Sequence, residues 1–234
     1  MQEEGEVAYM TQNYLSYFDN NIIYSTSFSD SPILYFLTNI NIHVSNNYID
    51  GGNYQMLSTR GGAIYSNDFK NFSAIKNKIV NFKTSYGGGI MIESTTRALD
   101  TYAYFSGNLF KNNEALHNGG GVYIVDVKNI IFEENIFDGN SARNPFLSQK
   151  DAAKEQRFIS GGGLYYDCSV LVKCQMNMTK NNIFINNFSA GSGGGLAWIT
   201  YEPLFFSFQY NTDERQQTNY ITFNNNSVKC IFSI

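Results

Sequence analysis

The chain has 234 residues, 43% of them hydrophobic and 15% charged, which excludes a disordered segment and allows a sizeable core in one domain. Its net charge of -4, with Lys and Arg scattered among Asn and Tyr, leaves no basic stripe to track phosphates, so nucleic acid is not an expected partner. Aromatic content of 16% with only 3 prolines favours strands and turns over helices.

Met1 is followed by Gln2-Glu3-Glu4, without a positive start or an apolar run, so no secretory signal is read here. No stretch is long enough to span a membrane. Asn13 to Ile23, NYLSYFDNNII, reads as the second half of a unit whose best copy comes later, and residues 13–28 are taken as a partial coil. That best copy is Gly119 to Asn140, GGGVYIVDVKNIIFEENIFDGN. Laid without a gap on Ser31 to Gly52, it matches Tyr123 to Tyr35, Asn129 to Asn41, Asn135 to Asn47, Asp138 to Asp50 and Gly139 to Gly51.

Further copies open at glycine runs. Gly61-Gly62-Ala63-Ile64-Tyr65 opens one, and Ile75, Lys78, Val80 and Lys83 are assigned to the places of Phe132, Asn135, Phe137 and Asn140, which makes this copy degenerate. Gly87-Gly88-Gly89 opens the next, carrying Phe105, Asn108, Phe110 and Asn113. Gly119-Gly120-Gly121 opens the reference copy, Gly161-Gly162-Gly163 one with Asn182, Phe184 and Asn187, and Gly193-Gly194-Gly195 one that reaches Phe223, Asn226 and Val228. Coils therefore open near residues 31, 61, 87, 119, 161 and 193.

A repeat of this length means a solenoid whose units cannot bury their apolar faces alone. Apolar positions alternate over short runs, with no helical stripe, so the expected fold is an all-β, right-handed parallel β-helix of about six to seven coils of three short strands. Glycine would turn the corners, Asn would adopt left-handed corners and pass amide hydrogen bonds from coil to coil, and the Phe and Ile before each Asn would stack inside. Two excursions break the period, at residues 141–160 and 200–219. In the first, Ser148 and Asp151 resemble a capping box ahead of a short helix at Ala152 to Gln156.

Three cysteines occur, Cys168, Cys174 and Cys230. Cys168 and Cys174 either close a small loop in an oxidising compartment or stand as buried thiols. With His43 and His117 as the only histidines there is no metal spacing, and no cofactor is expected.

The alternation of Gly-Gly-Ala/Gly-Ile/Leu/Val with Phe-x-x-Asn resembles the polymorphic outer membrane protein repeat. It stands at Gly61-Gly62-Ala63-Ile64 and at Phe110 to Asn113, Phe132 to Asn135, Phe137 to Asn140, Phe184 to Asn187 and Phe223 to Asn226. The resemblance implies a surface-displayed right-handed β-helix of the pectin-lyase-like superfamily that acts as an adhesin. Similar repeats occur in large membrane-tethered proteins of ciliated protists, and the Asn, Ile, Lys, Phe and Tyr bias suits that version. The expectation is a non-catalytic structural or adhesive segment of a larger cell-surface protein. Its partners would be a cell-surface protein or glycan, and neighbouring coils of the parent chain at both ends.

Two alternatives carry residues. A lyase or hydrolase of the same superfamily needs carboxylates from neighbouring coils on one face, as a calcium site or an acid and base pair. Counted from the first glycine of each copy, Glu93 and Asp167 share one offset and Asp68 and Asp126 the next. The plainer reading is a strand end turning into solvent. Lys128 and Arg97 lie nearby, without a Gly-His-Gly or Asp-Asp motif. A glycan-binding module would use Tyr65, Tyr123 and Tyr165, which share one offset, as an outward stacking strip; the reading preferred here puts them in the core. Sequons occur at Asn71, Asn177, Asn187 and Asn225.

Overall fold

The computed structural model describes residues 8–24, 31–52, 60–95, 100–145, 159–169, 172, 174–200, 221–224 and 226–228. The helix expected at Ala152 to Gln156, most of the second excursion, Arg97, Asn225 and Cys230 lie outside them. Every regular element among the described residues is a strand, and every strand pairing is parallel. The architecture is the parallel β-helix expected from the repeat, with about 5 turns against the six to seven expected.

The strands stack into four sheets of seven, six, seven and five strands, which form the walls of the coil. The first wall contains Leu34–Leu37, Ile64–Asn67, Ile90–Glu93, Val122–Val125, Leu164–Cys168 and Leu196–Thr200. The second includes Asn71–Ile75, Tyr102–Ser106, Asn129–Glu133 and Gln175–Thr179. The third includes Lys78–Val80, Leu109–Lys111, Ile136–Asp138 and Asn182–Ile185. The fourth was not expected: two-residue strands such as Glu114–Ala115 and Ser141–Ala142 pair side by side, so Ser141 and Ala142 belong to the coil and not to the excursion.

Registers confirm the gapless match of the two best copies, since Tyr35 and Tyr123 share one column and Asn47 and Asn135 another. The copy opened by Gly61 is corrected by one residue. Ala74 pairs with Phe105, and Ile79 with Phe110, so Ala74, Asn77, Ile79 and Phe82 fill the places assigned to Ile75, Lys78, Val80 and Lys83. A one-residue slip flips every side chain to the other face. Ala74 and Ile79 are fully buried, whereas Lys78 is exposed. Packing explains the small Ala74: Phe72, beside it in the same strand, fills the interior and lies 5.7 Å from Phe105, whose own neighbour is Ala103. Large and small residues change places between successive coils.

The interior is a continuous stack. Phe110, Phe137 and Phe184 lie at 4.9 and 4.6 Å between ring centroids, and Phe105 and Phe132 at 4.7 Å. Asn21, Asn47, Asn77, Asn108, Asn135 and Asn182 form one ladder, in which each backbone N and Nδ2 donates to the Oδ1 of the next coil's Asn. A second runs through Asn113, Asn140, Asn187 and Asn226. The left-handed corner belongs to the residue before the ladder Asn, at Asn20, Asn46, Lys76, Gly107 and Glu134 in the first ladder and at Asn112, Gly139 and Asn186 in the second; at Asn182 it falls one residue earlier, on Lys180. The expected double duty of Asn is thus divided between two neighbours. Phe82 takes the second ladder's place in its coil, its backbone N donating to Asn113 Oδ1 at 3.1 Å, and the missing side chain of Gly62 leaves room for its ring.

Candidate functional site

The outer face of the first wall carries the residues on which both alternative functions depend. Alternation in these strands turns Ile64, Ile90, Val122 and Leu164 inward, into the main core. Tyr65, Met91, Tyr123 and Tyr165 therefore point outward. They are buried nonetheless, as a second apolar cluster separate from the core. The preference for core is right about burial and wrong about direction, because both faces of this wall are apolar.

The column is continuous. Tyr9, Tyr35 and Tyr65 follow one another at 5.0 and 5.1 Å, and Tyr123 lies 5.1 Å from Tyr165. Tyr86 stacks on His117 at 4.6 Å and reaches Tyr123 at 5.9 Å. Burial pushes the hydroxyls of Tyr65 and Tyr123 well above the usual tyrosine value. Ala197 continues the register beyond Tyr165.

The four acids fall into two columns, as their offsets predict. Glu93 and Asp167 share the outward column next to the tyrosines, with Val125 between them. Asp68 and Asp126 stand at the following corner, both in the left-handed conformation, with Ser94 between them. Partners within a column are thus two coils, roughly 10 Å, apart. Among the described residues no group of three or more His, Cys, Asp or Glu side chains is placed to hold a metal ion.

Each column has local work. Glu93 is 8% exposed and takes hydrogen bonds from Tyr65 Oη and from Arg60 Nη1, the latter at 2.8 Å. Asp68 accepts from Thr95 N at 2.7 Å and Thr95 Oγ1 at 2.6 Å, and Asp126 accepts from Ser169 N at 2.6 Å. The two corner acids hold the same point of the following coil, where the chain leaves the first wall. Sequence reasoning missed this role; an Asp at a left-handed corner, repeated at one offset, was its signal. Asp167 differs. Burial, and then the charge of Asp126, raises its carboxyl above the ordinary value. Lys128, considered as a base, is instead paired with Asp100 at 2.6 Å.

Cys168 and Cys174 are joined in a disulfide, so the pair is bridged rather than two thiols. Among the sequons, Asn187 is fully buried and its Nδ2 donates to Phe137 O and Asn226 Oδ1. Asn71 is exposed on the second wall. No helix among the described residues is long and apolar enough to cross a membrane. Compared with protein families, curated proteins and solved structures, the chain shows no match.

Proposed function

We propose that this chain is a non-catalytic, rigid β-helix segment of a larger cell-surface protein, acting through contacts of its outer faces with protein or glycan. The observation that carries the reading is the disposition of the first-wall acids. Glu93 is bound by Arg60 and Tyr65, while Asp68 and Asp126 are bound by the next coil. Carboxylates so engaged hold coils together. The disulfide supports an oxidising compartment. The resemblance to polymorphic outer membrane protein repeats supports adhesion.

The test is direct binding. The purified, labelled chain should bind saturably to members of a glycan array or a cell-surface protein array. Absence of saturable binding on both would remove the adhesive role and leave a purely structural one.

A second reading, a carbohydrate-active enzyme or its degenerate relative, is favoured by one observation. Asp167 is a half-buried acid whose carboxyl is raised above its ordinary value by burial and then by the charge of Asp126, the direction a general acid requires. It predicts turnover of a polysaccharide that is lost in Asp167→Asn.

A further inference from the structure

We infer that the outer face of the second wall binds a neutral saccharide in a shallow groove centred on Tyr102, an inference that rests on the contact reading above. The groove encloses about 380 Å³, at the lower end of the range that holds small ligands. It crosses four consecutive coils, roughly 14 Å at one strand spacing per step. Register places Tyr102 between Asn71 and Asn129, and Tyr104 between Ser73 and Ile131, with Gln175 and Asn177 in the fourth coil.

The lining selects the ligand class. It offers two tyrosine rings, apolar Ile131, and the amides of Asn71, Asn129, Gln175 and Asn177, with no Asp, Glu, Lys or Arg among its lining residues. Ring faces take the C–H face of a sugar, and amides both donate to and accept from hydroxyls. A charged sugar or a phosphate would find no counter-charge among the lining residues, and the chain's net charge of -4 opposes an anion. A peptide adding as a strand needs a sheet edge, whereas this is the face of a continuously paired sheet.

The platform is built before a ligand arrives. Tyr104 Oη donates to Glu133 Oε2 at 2.8 Å, and Glu133 is itself held by Thr179 Oγ1 and Lys180 Nζ, both at 2.9 Å. Asn71 Nδ2 donates to Asn41 Oδ1 at 2.7 Å, which turns the Asn71 amide and leaves its Oδ1 as an acceptor. Tyr102 is 49% exposed, and its ring is available to a ligand. This wall is distinct from the one bearing the acids and the buried tyrosine column.

The test is titration by calorimetry and saturation-transfer NMR with neutral hexoses, N-acetylhexosamines and their disaccharides, and with a uronic acid for comparison. Bacterial expression keeps Asn71 and Asn177, the two sequons in the groove, free of glycans. The wild-type chain should bind a neutral sugar saturably and the uronic acid at least tenfold more weakly. Tyr102→Ala should lose at least tenfold in affinity, Asn129→Ala should weaken binding severalfold, and Tyr24→Ala, on the third wall, should leave it unchanged. An identical circular dichroism melt for Tyr102→Ala would establish that the fold is intact. Unaltered affinity in Tyr102→Ala, equal binding of the uronic acid, or no saturable neutral sugar would each overturn the groove. Binding retained by Tyr102→Ala, or binding to a protein array alone, would overturn it while leaving the contact reading in place.

Discussion

Asn135 donates from both its backbone N and its Nδ2 to the single Oδ1 of Asn182, at 3.1 Å in each case, although 47 residues separate them. The excursion between them leaves the coil step intact. Asn135 also accepts from Asn108 and donates to Phe105 O and Glu133 O, and it is fully buried. Asn135→Ala strands several buried partners at once and should cost about 3 kcal/mol or more. Asn21→Ala, at the half-buried start of the ladder, should cost about 1 kcal/mol. Urea unfolding of the two variants checks this, and equal losses would contradict a ladder that works by burial.

Two glycines test why the corners need them. A Cβ on Gly120 would lie 2.3 Å from Gly162 O and 2.4 Å from Ser141 O, so Gly120→Ala must push coils apart and should cost about 3 kcal/mol or prevent folding. Gly107 has a φ of +64° but nothing nearer to a Cβ than Lys76 Cγ at 3.4 Å. Its replacement by Ala pays only for the left-handed conformation, about 1–2 kcal/mol. Thermal melts should rank the two in that order.

Reduction of the Cys168–Cys174 bridge should lower stability by about 2 kcal/mol, the chain-entropy value for so short a loop. Because the bridge joins residues only six apart, at the end of one first-wall strand, the circular dichroism of the strands should persist. Urea titration with and without reductant measures the loss.

Two carboxyls should give pH dependences of opposite sign. Burial would raise the Glu133 carboxyl, but hydrogen bonds from Lys180, Tyr104 and Thr179 outweigh it and hold the group below its ordinary value of 4.5. Its contribution is present above that value and is lost as pH falls through the folded value. Glu133→Gln should therefore destabilise at pH 7 and have little effect in acid. Asp167 is raised above 3.8, first by burial and then by Asp126, so its contribution is present below 3.8 and lost as pH rises. Asp167→Asn should stabilise the chain at pH 7, a gain that fades in acid. Melts across pH check both signs.

Much of this architecture is legible in the residues, and the failures have physical causes. The match of Tyr35 to Tyr123 and of Asn47 to Asn135 holds because turn residues and interior residues repeat together. The copy after Gly61 is misread because Ile75 and Val80 are apolar in their own right, while Ala74 owes its place to Phe72 beside it. Two-residue strands such as Ser141–Ala142 carry no periodicity to detect. Alternation assigns Tyr65, Tyr123 and Tyr165 to one face but cannot say which, since Ile64, Val122 and Leu164 on the other face are as apolar. The acids fall in the columns their offsets require. Their partners, Thr95 and Ser169, come from the following coil and share no local pattern with them.

The central claim is that Asp68, Glu93 and Asp126 hold the coils together and that the first-wall carboxylates, Asp167 included, perform no chemistry. Its most direct test is incubation of the purified chain with a panel of neutral and acidic polysaccharides, with calcium present, following new reducing ends and unsaturated products. The account predicts no product above that of a variant with Asp68, Glu93, Asp126 and Asp167 changed to their amides. Turnover by the native chain that disappears in Asp167→Asn would contradict it.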